Sequence, residues 1–448
     1  MVFLDSSVAN IILPRLQESF QRDLLDLQWV VTSYGTMLSA FLLLGGALGD
    51  SFGRRRLFLI GLALFSVASA ACAASQTFWS LVVARSVQGV GGALLTPESL
   101  AILNSTFPKD QRAKAVGAWS AASALTGVVG PTLGGWIAEV ASWRAVFFIN
   151  LPLALVSGYL AWTSIPENCS ETRVVRFDFT GSLLAALGFG VFISGVTKGL
   201  VWSLAGVAIL VLFCLYESRI DHPVLPLNVF RNRVFSRINL MTLFLYGALG
   251  MAFFYLPTHL IRVKHYSAAQ AGMAASPVAL LLALFSRSVG AYAESVGSKW
   301  FLVGGPALAS LGFVALAFAS PHHSYWISFF PGFLLLGAGM ALTVTPLTSK
   351  ALSALEDEKS GLASGINNTA ARVAGVVGVA LAATLITASF HARTGIADPM
   401  MPIPEGATEA FKAAVEAARW MSYRELLLAS ALLGVLASLA GAWTEKRH

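Results

Sequence analysis

Residues 46–56 read Gly46-Ala-Leu-Gly-Asp50-Ser-Phe-Gly53-Arg54-Arg55-Arg56, and the arrangement returns at 290–299 as Gly290-Ala-Tyr-Ala-Glu294-Ser-Val-Gly297-Ser-Lys299. Each copy lies between two apolar runs. A shift of 244 residues aligns glycine, carboxylate, glycine and cation. Working outward, Gly127-Val-Val-Gly130 recurs as Gly375-Val-Val-Gly378, and Gly89-Val-Gly-Gly-Ala-Leu as Gly337-Ala-Gly-Met-Ala-Leu, both 248 residues apart. Three matches in one order at nearly one shift mark an internal duplication.

The composition says where the duplicated unit lives. Of 448 residues, 56% are hydrophobic and only 12% charged, with a mean hydropathy of +0.71. A soluble globule needs about 25% charged residues to wet its surface. The apolar runs are about 18–25 residues long, which a helix needs to cross ~30 Å of hydrocarbon. Fourteen runs are expected, near 1–14, 28–48, 57–74, 78–104, 115–138, 145–165, 179–197, 200–216, 236–258, 268–292, 300–319, 325–349, 360–388 and 424–443. The first rises only ~21 Å as a helix, so its inner half is expected to be absent. The fold class is an all-α membrane protein. Its expected parts are a six-helix half (1–165), an inserted helix pair with connectors (166–235) and a second six-helix half (236–448). Two parallel halves with substrate held between them are a transporter architecture.

Lys and Arg set the orientation. With the first span running outward, seventeen of the 30 basic residues fall in inner connectors and nine in outer ones, placing both termini in the cytoplasm. The net charge of +7 is dispersed among connectors, so a nucleic-acid partner is not expected. Cys72, Cys169 and Cys214 have neither disulfide nor metal spacing. All seven histidines fall in connectors or the tail of this reading, which leaves no intramembrane relay. There is no Walker motif, nucleophile elbow or metal-ligand cluster. No catalytic site, metal or cofactor is expected, and the energy source is a gradient.

Asp5 and Glu98 are the carboxylates read as lying well inside apolar spans. At membrane depth such a group costs ~3 kcal/mol or more, so its default reading is functional. Asp5 lies nine residues before Pro14, and Arg85 seven after Phe78. Both depths are ~10–14 Å from the outer end of their spans, so the two side chains can meet. Proton coupling is the favoured reading, against a permanent pair that only fixes packing. Glu98, after Thr96-Pro97, is either a second proton or cation site or a group facing cytoplasmic water. Gly46, Asp50, Gly53, Arg54 and Arg55 suggest a latch between the halves, against a loop that only sets topology. Gly127, Gly130, Pro131, Gly134 and Gly135 put small residues and a proline break on one helix, for close approach or for gating. Asn367, Asn368, Thr369 and Arg372 form a polar cluster that lines a cavity or bonds neighbouring helices. Trp29, Tyr34, Tyr246, Phe253, Phe254 and Tyr255 form either a wall for apolar substrates or lipid-facing aromatic positions.

Four of these stretches together resemble the major facilitator superfamily, in particular its fourteen-helix drug:proton antiporter branch. Leu4-Asp5-Ser-Ser-Val-Ala-Asn10 through Pro14 is similar to that branch's first-helix signature. Gly46–Arg56 resembles the superfamily's loop after the second helix, with Ser51 where a basic residue is usual. Arg85-Ser-Val-Gln88-Gly89-Val-Gly91 resembles its fourth-helix arginine motif, which adds Gln88 to the cavity candidates. Gly127-Val-Val-Gly130-Pro131-Thr-Leu-Gly134-Gly135 resembles the fifth-helix motif of antiporters. The resemblance implies proton-driven export of small amphipathic compounds by a monomer in the cytoplasmic membrane. In it Asp5 and Arg85 serve coupling and the fifth helix serves alternation. A dedicated exporter of one metabolite and a transporter-like receptor without flux remain the alternatives.

Overall fold

The computed structural model describes residues 1–448 except 109–121, 123–125, 127–128, 167–177, 321–322, 356–359, 405 and 444–448. Among the described residues the chain is helical and without strands. Among the described residues, twelve helices are long and apolar enough to cross a membrane, against the fourteen spans expected of the whole chain. The first expected span is divided into α1 (Val2–Val8) and α2 (Leu13–Phe20). Pro14 does not end a helix here. It opens α2, at a first-turn position where the missing N–H costs nothing. Half of the fifth expected span falls on undescribed residues, and 129–140 (α6) is its continuous described helix.

The chain forms two compact units. The first comprises Met1–Ser6, Trp29–Ser123 and Ala141–Val229. It contains most of α3 (Leu24–Phe52), then α4 (Arg54–Ala74), α5 (Phe78–Thr106), α7 (Trp143–Phe148) and α8 (Asn150–Ser164). The inserted pair, α9 (Phe179–Lys198) and α10 (Leu200–Glu217), belongs to the same unit. Thr77 and Ser80 form a reciprocal capping box that starts α5, and the Asp178 side chain accepts from Gly181 N to start α9. The pair turns at Gly199 (φ +120°), where a side chain would be strained. Its Ala185, Ala186 and Phe213 pack against Ala40 of α3.

The second unit comprises Ser7–Gln28, Ala124–Val140 and Phe230–His448. It holds α2, α6, α11 (Arg233–Val263), α12 (Ala268–Ala274), α13 (Ser276–Val296), α14 (Lys299–Ala317), α15 (Tyr325–Ser328), α16 (Phe330–Ser353), α17 (Ser360–Thr394) and α18 (Glu409–Ala442). Two boundaries differ from the sequence reading. Helix α11 continues through His259 to Val263, and α18 begins at Glu409, not near 424. The start moves because Arg419 is buried and spends its donors on Pro399 O (Nε, 2.8 Å) and Met401 O (Nη2), so it does not interrupt the helix.

The duplication is visible in packing. In the first unit, a Cβ on Gly91 would stand 2.6 Å from Phe65 N, and one on Gly61 3.2 Å from Gly91 O. In the second, a Cβ on Gly339 would collide with Ala309 N, and one on Gly305 would lie 3.0 Å from Gly339 O. Adding 244 on the first helix and 248 on the second converts one set into the other. The α4–α5 crossing is thus repeated as α14–α16, with backbones too close for side chains between them. Large apolar residues on the outer faces, including Leu155, Trp162, Val201 and Trp300, are exposed, as lipid contact requires.

Candidate functional site

Helix α1 carries Asp5 and α5 carries Arg85, and both side chains are fully buried. They form a direct ion pair, Arg85 Nη1 donating to Asp5 Oδ2. Arg85 Nη1 also donates to Gln88 Oε1 (2.8 Å), and Nε to the Val30 carbonyl (3.0 Å). The guanidinium carbon lies 4.3 Å from the centre of the Tyr34 ring and 5.8 Å from that of Phe147, so two aromatic faces help hold the cation.

The other carboxylate oxygen is served by amides. Asp5 Oδ1 accepts from Gln88 Nε2 (2.9 Å) and from Asn150 Nδ2 (3.1 Å). Both amides also reach Ser69 Oγ, at 3.3 and 3.0 Å, and that hydroxyl donates to the Phe147 carbonyl at 2.8 Å. Gln88 lies one turn after Arg85 on the same face of α5. The side chains that reach the carboxylate are all donors, so this shell suits the anion. Burying the pair is costly, and the added hydrogen bonds and aromatic faces offset that cost.

The sequence reading did not include Asn150 or Ser69 among its candidates. Asn150 opens α8 one residue before Leu151-Pro152, and an amide at that depth carries the same burial argument used for carboxylates. It also gave Gln88 and Tyr34 to a substrate cavity, whereas here both are bound up with the ion pair.

Glu98 is buried on α5, beside the 46–56 stretch: a Cβ on Gly49 would collide with its carboxylate. That stretch, expected as a loop, is helical except at Gly53, which has φ +99° and separates α3 from α4. Arg54 donates to the Ala101 carbonyl and Arg55 to that of Ile165, each at 3.0 Å. Gly46 lies 3.6 Å, measured from an added Cβ, from Pro97. Asp50 is helical, but its side chain lies outside what the structure describes.

Gly127 also lies outside the described residues, while Gly130, Pro131, Gly134 and Gly135 are helical. Within the second unit, Gly134 faces Val8, Gly135 meets the Ala268 carbonyl, and Gly272 of α12 meets the Pro131 carbonyl, each too closely for a Cβ. Asn367 donates to Thr242 Oγ1 (2.8 Å) and Asn239 Oδ1 (3.3 Å) of α11, whereas Asn368 turns outward to Ser364. Trp29, Tyr246 and Arg372 are each partly buried on their helices. His259 overturns the reading that every histidine lies in a connector. It is wholly buried in α11, its ring stacked on Tyr423 of α18 at 4.3 Å. Glu217 was also missed, and is buried at the end of α10 beside Asp178.

The Major Facilitator Superfamily family model matches residues 1–379. The chain belongs to this superfamily. It is 31% identical over 424 residues to the multidrug resistance protein Stp of Mycobacterium tuberculosis, covering 89% of this chain and 77% of that protein. The puromycin resistance protein pur8 of Streptomyces alboniger is 32% identical over 409 residues (88% and 80%). The fold is similar to that of a bacterial homologue of the human lysosomal transporter Spinster, solved inward-facing and unoccupied, with a TM-score of 0.66 at 16% identity over 99% and 94% of the two chains. A D-xylose–proton symporter gives the same TM-score at 17% identity, over 99% and 94%. This chain is therefore a multi-pass membrane transporter of the superfamily, with antibiotic- and multidrug-resistance proteins among its relatives.

Proposed function

We propose that this superfamily member exports small amphipathic compounds across the cell membrane in exchange for protons, as a monomer with both termini in the cytoplasm. Asp5 carries the coupled proton, and Arg85 is the partner to which its anion returns. The observation that supports this most is the shell around Asp5. A carboxylate buried at membrane depth is costly, and it is held by one cation and two amides that favour the anion. Coupling needs a second conformation in which this shell opens and the carboxyl takes a proton from water. Alternating access supplies one, with the glycine–proline stretch of α6 and the 46–56 loop as moving contacts and Glu98 as the second candidate for a proton.

A dedicated exporter is the second reading, favoured by relatives named for one compound each, puromycin or tetracenomycin C. One experiment addresses coupling in either case. Vesicles containing the purified protein and an internal pH dye are given a panel of lipophilic cations, then single antibiotics. Substrate-induced proton movement is expected, and is expected to vanish in Asp5→Asn. Movement that persists in Asp5→Asn but disappears in Glu98→Gln would move coupling to Glu98. No movement with any compound would sink the antiport reading.

A further inference from the structure

Helix α11 carries Tyr255, Thr258, His259 and Arg262 at spacings of three, four and seven residues from the first, which puts them on one face. Tyr255, Thr258 and His259 are almost wholly buried. The Tyr255 hydroxyl, the Thr258 hydroxyl, both imidazole nitrogens and Arg262 Nε have no hydrogen-bond partner among the described residues. Buried polar groups are nearly always satisfied, and each one left over costs about 1–3 kcal/mol in general. Four side chains on one face sharing this condition need a common cause.

The surroundings narrow what would satisfy them. Tyr423 stacks on the imidazole at 4.3 Å and 28°, and Trp420 lies 5.0 Å away at 45°, so aromatic rings from α18 cover the face. Tyr423 is also 6.1 Å from Tyr255. Arg419 and Lys264 are within electrostatic reach of the imidazole, and Arg419, Arg262 and Asp398 of the Tyr255 hydroxyl. The nearby acceptors are engaged. Asp398 Oδ2 accepts from Gln17 Nε2 (2.5 Å), the Pro399 and Met401 carbonyls accept from Arg419, and Gln17 Oε1 accepts from Arg262 Nη2 (3.2 Å). Of the groups within reach of the imidazole and the Tyr255 hydroxyl, three are cations and one is a carboxylate already in use; Arg262 also pairs with the half-exposed Glu18 (3.6 Å), and Glu416 acts on Arg419 from further out. The face offers donors, a positive field and flat apolar walls.

We propose that the Tyr255–Arg262 face is a substrate subsite for an acceptor-rich, anionic head group, such as a sulfonate, carboxylate or phenolate, borne on an aromatic body. This rests on the export reading and names a substrate class for it. Tyr255, Thr258, His259 and Arg262 Nε donate to the head group, and Trp420 and Tyr423 flank the ring. The conformation described here is the closed form of the site, with the rings of α18 drawn over the donors.

The test compares two probes of one shape and opposite charge, 1-pyrenesulfonate and 1-pyrenemethylammonium. Binding is measured to the full chain in phosphatidylcholine nanodiscs, with empty discs subtracted. The sulfonate is expected to bind more tightly. Tyr255→Phe, Thr258→Val and His259→Phe keep shape and remove donors. Each is expected to weaken the sulfonate about tenfold, and to leave the ammonium probe within about twofold. All three replace an unsatisfied polar group with an apolar one, so thermal stability should hold or rise, which guards against loss by misfolding. Equal affinity for the two probes, or sulfonate binding unchanged in all three variants, would overturn the proposal. Displacement of the sulfonate on adding phosphatidylglycerol would give the face to a lipid headgroup and overturn its role as a substrate subsite. Asp5→Asn should leave sulfonate binding intact while removing proton movement, so failure here and failure of the antiport reading are separate results.

Discussion

Arg85→Gln tests whether Asp5 and Arg85 form one energetic unit. In the native structure the guanidinium donates hydrogen bonds to Asp5, Gln88 and the Val30 carbonyl and lies against two aromatic rings. Removing the charge leaves Asp5 buried with only the Gln88 and Asn150 amides. Leaving one member of a buried ion pair uncompensated costs roughly 3–5 kcal/mol. Asp5→Asn leaves the opposite charge stranded and should cost a similar amount. In the double variant Asp5→Asn/Arg85→Gln, two neutral amides face one another and no charge is buried, so its loss should be far below the sum of the single losses. Replacing both members of a buried pair is often close to neutral. The assay is equilibrium unfolding of all four proteins in the same detergent, followed by far-ultraviolet dichroism and by tryptophan fluorescence, and compared as a double-mutant cycle. A coupling of several kcal/mol is expected. Losses that simply add would refute the reasoning, because they would mean that the two groups do not depend on each other for burial.

Further outcomes follow from the packing. Gly91→Val in the first unit and Gly339→Val in the second should each lose stability by a few kcal/mol, since backbone lies where a side chain would stand; thermal midpoints measured in one detergent check this. Gly53→Ala places a side chain at φ +99° and should cost about 1–2 kcal/mol, with Gly53→Asn milder, read from the same midpoints. Asp398 lies outside the spans, and burial, the largest influence, raises its carboxyl pKa above the ordinary value. Asp23 pushes in the same direction, while hydrogen bonds from Met400 N, Leu24 N and Gln17 oppose it. The folded state therefore holds this proton more tightly than the unfolded chain. The resulting stabilisation is complete below the ordinary carboxylate range and is lost as pH rises through the raised value. Midpoints across that window should fall with pH in the native protein, and the fall should shrink in Asp398→Asn.

What could be read from the sequence was whatever the hydrocarbon makes expensive. Charge at depth singles out Asp5 and Arg85, and their depths along the two spans put them in reach of each other. The glycine repeats singled out the duplicated crossings, because close helix approach tolerates little else. Neutral polar residues escaped this filter. Asn150 and Ser69 break no apolar run, although Asn150 donates to the carboxylate and Ser69 accepts from both amides that serve it. His259 was lost for the opposite reason: with Arg262 and Lys264 close behind, it looked like the end of a run. In the structure, stacking on Tyr423 and Trp420 carries the helix past it. Arg419 misled in the same way, since backbone carbonyls at Pro399 and Met401 satisfy it inside α18.

The duplication also separates scaffold from chemistry. Gly61 and Gly91 have their counterparts in Gly305 and Gly339, and each pair brings two backbones into direct contact in its own unit. Arg85, six residues before Gly91, has no such counterpart. The position 248 residues on is Phe333, wholly buried and apolar. Close packing was therefore kept in both copies, while the buried cation was kept in only one. A role in packing alone would predict the reverse freedom: Phe333 shows that an apolar side chain fills this position without disturbing the crossing. The ion pair is thus more than the fold demands, and it carries a desolvation cost that a phenylalanine avoids. If it served stability alone, an apolar pair of matching volume at positions 5 and 85 should leave both stability and proton movement unchanged. The antiport reading expects stability to survive, or even improve, in Asp5→Leu/Arg85→Phe, with proton movement lost.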